Sequence, residues 1–246
     1  MAGKDALLRN VVSEIREFCA ANANEAQVRK YARFFTEGYD AYGIPKEIWE
    51  ANPARYHEKY KDRLALKDFL ELGDLLFESG KYEEGSFAIT SIMPMLGQFT
   101  PGAFQHVGHW LESGVRNWAH SDVICGQVLA PCLEKGVAAV QDLSAWRDSG
   151  SKWKRRAVPV SLLAMIGAQK TALLLKFIEP LMLDPERVVR QGMGWFLREA
   201  WKKDPAPVEK FLLKWKDKAP RLIYQYATEK MSPAGKQRFR RAKLKR

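Results

Sequence analysis

The side chains able to do chemistry concentrate in three short stretches. In the first, Asn117-Trp118-Ala119-His120-Ser121-Asp122, a helix would put Trp118 and Asp122 four residues apart, on one face and one turn from each other. An indole beside a carboxylate is a dry wall next to a negative charge. In the second, residues 151–157, Lys152, Lys154, Arg155 and Arg156 surround Trp153. In the third, residues 190–205, Trp195 follows Gly192 and Gly194 within a helical pattern that also carries Arg190 and Arg198. Each glycine costs a helix interior about 1 kcal/mol relative to alanine. Their presence predicts that a neighbouring helix or a ligand backbone comes close. Each stretch also has an ordinary reading, because tryptophan is usually buried for its area and an Asp after Ser is often a cap.

A fourth grouping is weaker. His106 and His109 are three apart, near His120, Cys125 and Cys132, and a His pair at that spacing can ligate zinc. No CxxC or HExxH spacing accompanies them, so neither a metal nor another cofactor is expected. A glycine-rich phosphate loop and a GxSxG elbow are also missing.

The elements that must position these residues read as helices. Apolar residues recur at three and four, as in Leu64, Phe69, Leu72, Leu75 and Leu76, and in Leu162, Leu163 and Ile166. No strand pattern stands out. Asp184-Pro185, Asp204-Pro205 and Ser232-Pro233 each match an N-cap followed by proline at the first helical position. Pro159 leaves two options: a helix that starts after Ser151 and kinks, or one that begins just before the proline. Short helices joined by short turns, about 35 to 40 residues per pair, predict an all-α solenoid of antiparallel helix pairs, with an irregular bundle as the alternative. The expected division is one helical repeat domain over residues 1–234 and a basic tail over 235–246. Within the tail, Phe239 and Leu244 could dock it as an arm.

Charge narrows the partner. The chain carries +11 overall, unevenly placed. Residues 1–151 hold 16 Lys and Arg against 21 Asp and Glu, whereas residues 152–246 hold 24 against eight. The basic excess survives removal of the tail, which predicts a polyanion partner, with nucleic acid the usual one. Three cysteines at unrelated spacings make no disulfide framework and point to a reducing compartment. With no apolar run long enough to span a bilayer and no secretory h-region in the first residues, a monomeric, cytoplasmic, nucleoid-associated protein is expected.

Taken together, the Asn117–Asp122 stretch, the Arg of Trp153-Lys154-Arg155-Arg156-Ala157, and Gly192-Met193-Gly194-Trp195-Phe196-Leu197-Arg198-Glu199 resemble the AlkD-like DNA alkylation repair glycosylases in order and approximate spacing. The resemblance extends to Tyr42-Gly43-Ile44-Pro45 and to residues 219–230, and so covers most of the chain. It implies a HEAT-like α-α superhelix with a concave basic face for duplex DNA, and excision of N3- and N7-alkylated purines. It places the catalytic carboxylate at Asp122, its paired indole at Trp118, a second aromatic wall at Trp195 and a phosphate-binding guanidinium at Arg156. Lys152, Lys154, Arg155, Arg190 and Arg198 would add further DNA contacts. One departure is local: the family commonly has W-D-x-V-D, and here Ala119 and Ser121 stand in place of the first Asp and the Val.

The implied chemistry is self-consistent. Glycoside hydrolysis usually needs two carboxyl groups, one to protonate the leaving group. A cationic alkylpurine leaves as a neutral base without an acid. A single fixed carboxylate can then stabilise the sugar cation and orient water. The competing reading is a non-catalytic HEAT-type scaffold that binds nucleic acid or protein.

Overall fold

The computed structural model describes residues 2–50 and 52–241. Among the described residues the chain is all-α, with no β-strand beyond one isolated bridge between Ile166 and Gln169. It divides into two compact units, residues 1–128 and 129–246.

In the N-terminal unit the helix Ala2–Ala21 buries Leu8, Val11, Val12, Ile15 and Cys19, a stripe at helical spacing. Leu66–Glu78 and Tyr82–Ile92 form the central hairpin. Phe69, Leu72 and Leu76 are buried as the periodicity predicts, whereas Leu75 is only half-buried. Two consecutive glutamates on Tyr82–Ile92 tie in the preceding loop, although both are buried. Glu83 accepts hydrogen bonds from the backbone N–H of Tyr42, Gly43 and Ile44 at 2.8, 2.7 and 3.3 Å. Glu84 accepts from Arg16 Nε and the Tyr42 hydroxyl, both at 2.9 Å. The Tyr42-Gly43-Ile44 stretch is thus a backbone clamp on a carboxylate. Gly43 is required in it, since its φ is +75° and a Cβ there would lie 2.4 Å from the Asn24 carbonyl oxygen.

The C-terminal unit is built around Arg187–Lys203, which packs against Lys152–Ser161 on one side and Arg221–Ala227 on the other. The two glycines make both approaches possible. A Cβ at Gly192 would meet Val160 Cγ2 at 3.2 Å and Arg156 Cγ at 3.3 Å; one at Gly194 would meet Tyr226 Cβ at 2.4 Å and the Ile223 carbonyl at 2.8 Å. Of the two readings the glycines allowed, neighbouring helices are therefore the reason. Thr171–Ile178 and Pro205–Trp215 pack together, with Glu179 accepting from Lys214 Nζ and, at 2.8 Å, from Trp215 Nε1.

Helices start at two of the three expected places, although only Ser232 makes a side-chain cap bond there. Ser232 caps Pro233–Gln237, its Oγ accepting from Gly235 N at 3.1 Å, and Asp204 precedes Pro205–Trp215. At Asp184-Pro185 the expectation needs correction: the helix begins at Arg187, behind Glu186. The Asp184 carboxylate instead accepts from Glu186 N at 2.8 Å and pairs with Arg155 at 2.6 Å, which turns the chain before the helix can start. Lys152–Ser161 does start after Ser151 and carries Pro159 in its last turn, where the helix tightens into a 3₁₀ turn at Leu162–Met165. Leu162 is buried there, while Leu163 and Ile166 are half-buried. Beyond Pro233–Gln237, Phe239 is buried, its carbonyl accepts from Arg221 at 2.8 Å, and Arg241 donates to the Ala219 carbonyl at 2.8 Å. Leu244 lies outside the described residues.

Candidate active site and its comparisons

Asn117 starts the helix Trp118–Ile124. Its extended backbone lets Oδ1 accept from His120 N at 2.9 Å, while its Nδ2 donates to His120 Nδ1 at 3.1 Å. The other ring nitrogen, Nε2, donates to the Tyr82 carbonyl at 2.9 Å, and the imidazole stacks on the Tyr82 ring at 4.8 Å. One nitrogen accepts and the other donates, which fits the neutral ring. Burial pushes the His120 pKa down to about 4, opposed in part by the bond to Tyr82.

With His120, Ser121 and Ile124 buried, the opposite face turns outward. Trp118 is 40% exposed, yet it is not loose. Its Nε1 donates to the Phe34 carbonyl at 2.9 Å, and its ring lies nearly parallel to Phe35, centroids 5.7 Å apart. Asp122 follows one turn later, half-buried. Trp118 and Asp122 therefore lie one turn apart on a single short helix. Ser121, in the place of the family's Val, is fully buried, and its hydroxyl has no partner among the described residues. Ala119 is half-buried.

The basic stretch divides by environment. Lys152 Nζ sits 5.3 Å from the Trp153 ring centroid and Lys154 Nζ 5.5 Å from that of Trp146; both lysines are half-buried and both rings buried. Arg155 is occupied internally, pairing with Asp184 and donating to the Ser149 carbonyl at 2.7 Å. Arg190 Nε donates to the backbone carbonyl of the same Asp184 at 2.7 Å, so the structure brings Arg155 and Arg190 together there. Arg156 is buried and donates from Nη1 to the Val188 carbonyl at 2.6 Å. Arg198 bonds Glu199 at 2.9 Å and Glu229 at 2.5 Å. Trp195 is half-buried on Arg187–Lys203, one turn after Gln191, which donates to the Tyr226 hydroxyl at 2.8 Å.

His106 and His109 have partners of their own. His106 Nε2 lies 2.9 Å from Asp74 Oδ1, which also accepts from Trp110 Nε1 at 2.7 Å, and His109 Nε2 lies 3.2 Å from Ser113 Oγ. Among the described residues no three His, Cys, Asp or Glu side chains stand close enough to hold a metal ion. Nor is any helix there long and apolar enough to cross a membrane.

The aromatic surroundings of Trp118 do not follow from helical spacing. Phe35 stacks on Tyr39 at 4.5 Å, and Tyr39 lies 5.2 Å from Tyr82. The one signal in the sequence is the density of rings, five aromatic residues between positions 31 and 42.

The sequence matches the model of a family described as DNA alkylation repair enzyme over residues 15–231. No curated protein matches the chain. Among solved structures, one described as a predicted DNA alkylation repair enzyme from Enterococcus faecalis is similar at a TM-score of 0.75 with 14% identity. The alignment covers 86% of this chain and 98% of that one, so the two share a fold. With the family model spanning most of the sequence, the chain belongs to the family of DNA alkylation repair enzymes.

Proposed function

We propose that this chain hydrolyses the N-glycosidic bond of cationic N3- and N7-alkylated purines in duplex DNA. The observation that carries the reading is the exposed indole of Trp118, pinned by Phe34 and Phe35, one helical turn from Asp122. A fixed aromatic face and a carboxylate at that spacing suit a reaction whose transition state is a sugar cation. As the C1′–N9 bond breaks, its electron pair passes to the purine and cancels the charge, so the base needs no acid. Asp122 stabilises the oxocarbenium-like sugar and orients the water that adds to C1′, accepting its proton. Trp118 limits bulk solvent, and Trp195 offers a second aromatic face to the DNA.

Phosphate contacts fix the sugar without reading sequence. Lys152 and Lys154 are suited to this, since each is half-buried with its ammonium over a ring. Arg155, Arg190 and Arg198 would contribute while keeping their internal bonds. Arg156, buried and bonded to the Val188 carbonyl, would add its guanidinium charge from beneath the phosphate-facing surface.

Release of methylated bases from alkylated duplex DNA tests the reading, with wild type and Asp122→Asn compared under single-turnover conditions. The variant should release base about 10²- to 10³-fold more slowly while binding duplex as before. Full release by Asp122→Asn overturns the catalytic assignment. A wild-type protein that binds duplex and releases nothing supports a non-catalytic scaffold instead.

A further inference from the structure

We propose that a groove between two helices of the C-terminal unit docks an acidic, amphipathic helical segment of a partner protein. The groove runs between Thr171–Ile178 and Pro205–Trp215, which pack on each other. Its volume is about 440 Å³, and Ala172, Leu175, Pro207 and Phe211 give it an apolar lining. At roughly 30 Å³ per water, that is the space of about fifteen waters, enough for several apolar side chains. Leu175 and Phe211 are buried and form the floor, while Pro207 is half-buried and Ala172 exposed. The floor is therefore fixed by the core beneath it, and a docking segment would find the depression already shaped.

Charge selects the occupant. Lys176 stands on one wall, and Lys210 and Lys214 stand on the other. Lys214 is held by Glu179, which also accepts from Trp215 Nε1. Lys176 and Lys210 are exposed and make no ion pair among the described residues. An apolar floor between unmatched cations on both walls fits a helix whose apolar stripe is flanked by carboxylates. Its apolar side chains at i, i+4 and i+7 would fill the floor, and Asp or Glu beside them would reach Lys176 and Lys210. Duplex DNA would offer phosphates to the lysines and leave the apolar floor unmatched. A second copy presenting the same face would set lysine against lysine.

The groove uses none of the residues assigned to DNA in the proposed reaction. Lys152, Lys154 and Trp195 lie on Lys152–Ser161 and Arg187–Lys203, which pack together, whereas the groove belongs to Thr171–Ile178 and Pro205–Trp215. A partner seated there would tether the chain and leave the DNA-facing side chains of this unit unoccupied. The docking thus stands apart from the chemistry at Asp122 and does not depend on it.

The probe is a fluorescent peptide of about 15 residues, with leucines at i, i+4, i+7 and i+11 and glutamates flanking them. Its binding to the full chain is read by anisotropy and compared with that of a scrambled peptide of the same composition. The ordered peptide should bind at least about tenfold more tightly than the scrambled one. Lys176→Glu with Lys210→Glu should weaken it by about tenfold or more. Ala172→Phe, which fills the groove without changing its charge, should weaken it about tenfold and leave duplex affinity as in wild type. If Ala172→Phe does not fold, the exposed lysine pair gives the same reading. Equal binding of the two peptides overturns the proposal, because charge alone would then suffice, and so does full binding by either variant. Displacement of the peptide by duplex, or loss of duplex affinity in Ala172→Phe, assigns the groove to nucleic acid and also overturns it. So does self-association that Ala172→Phe abolishes, which assigns the groove to a second copy.

Discussion

His120 is neutral and buried, bonded through both ring nitrogens, and its pKa is lowered from 6.5 to about 4. Below pH 6.5 the unfolded chain takes up a proton that the folded chain refuses, so stability falls as the pH drops toward 4. The full effect is about 3 kcal/mol. Denaturant titrations across that range should show the loss, and His120→Gln should flatten this part of the slope. Next to it, the unpaired buried hydroxyl of Ser121 costs free energy with no return. Ser121→Ala should raise the unfolding free energy by about 1 kcal/mol and leave base release unchanged. At this scale much was legible: the i, i+4 spacing was enough to put Trp118 and Asp122 on one helix. The partners of Trp118 were not, because Phe34 and Phe35 lie more than 80 residues earlier and periodicity carries no information about which segments meet.

The Arg187–Lys203 helix shows what a glycine is for when two neighbours press on the same element. Gly194 faces a Cβ and a backbone carbonyl that cannot retreat, whereas Gly192 faces side-chain carbons that need shift by only a few tenths of an ångström. Gly194→Ala should therefore destabilise by about 2 kcal/mol, despite alanine's better helix propensity, and Gly192→Ala should be close to neutral. Thermal unfolding of the two variants checks the order. Capping rules located the helices after Asp204 and Ser232. They failed at Asp184, whose carboxylate is drawn to Arg155, a partner 29 residues away that local rules do not see. The same blindness hid the partners of the ring-rich stretch, where Phe35 meets Trp118 and Tyr39 meets Tyr82 from distant segments.

Over the whole molecule, the all-α class follows from hydrophobic spacing, and the family from three ordered stretches. Net charge speaks to how tightly DNA is held. Residues 152–246 carry 24 basic side chains against eight acidic ones, and several of those acids are already bound by Arg155, Arg198, Lys214 and Arg238. Deleting residues 242–246 removes Lys243, Lys245 and Arg246 while leaving the buried Phe239. Duplex affinity should then fall, and the slope of log affinity against log salt should shrink by roughly 0.9 for each phosphate no longer neutralised. Anisotropy titrations at several salt concentrations measure it, and single-turnover base release at saturation should not change. Gly192 and Gly194 also set how closely three helices of the C-terminal unit approach one another. Their stretch records that three-helix fit, which exchanging Asp122 would leave intact. With those glycine contacts still in place, the shape of the molecule and, on the proposed reading, its activity rest on different residues.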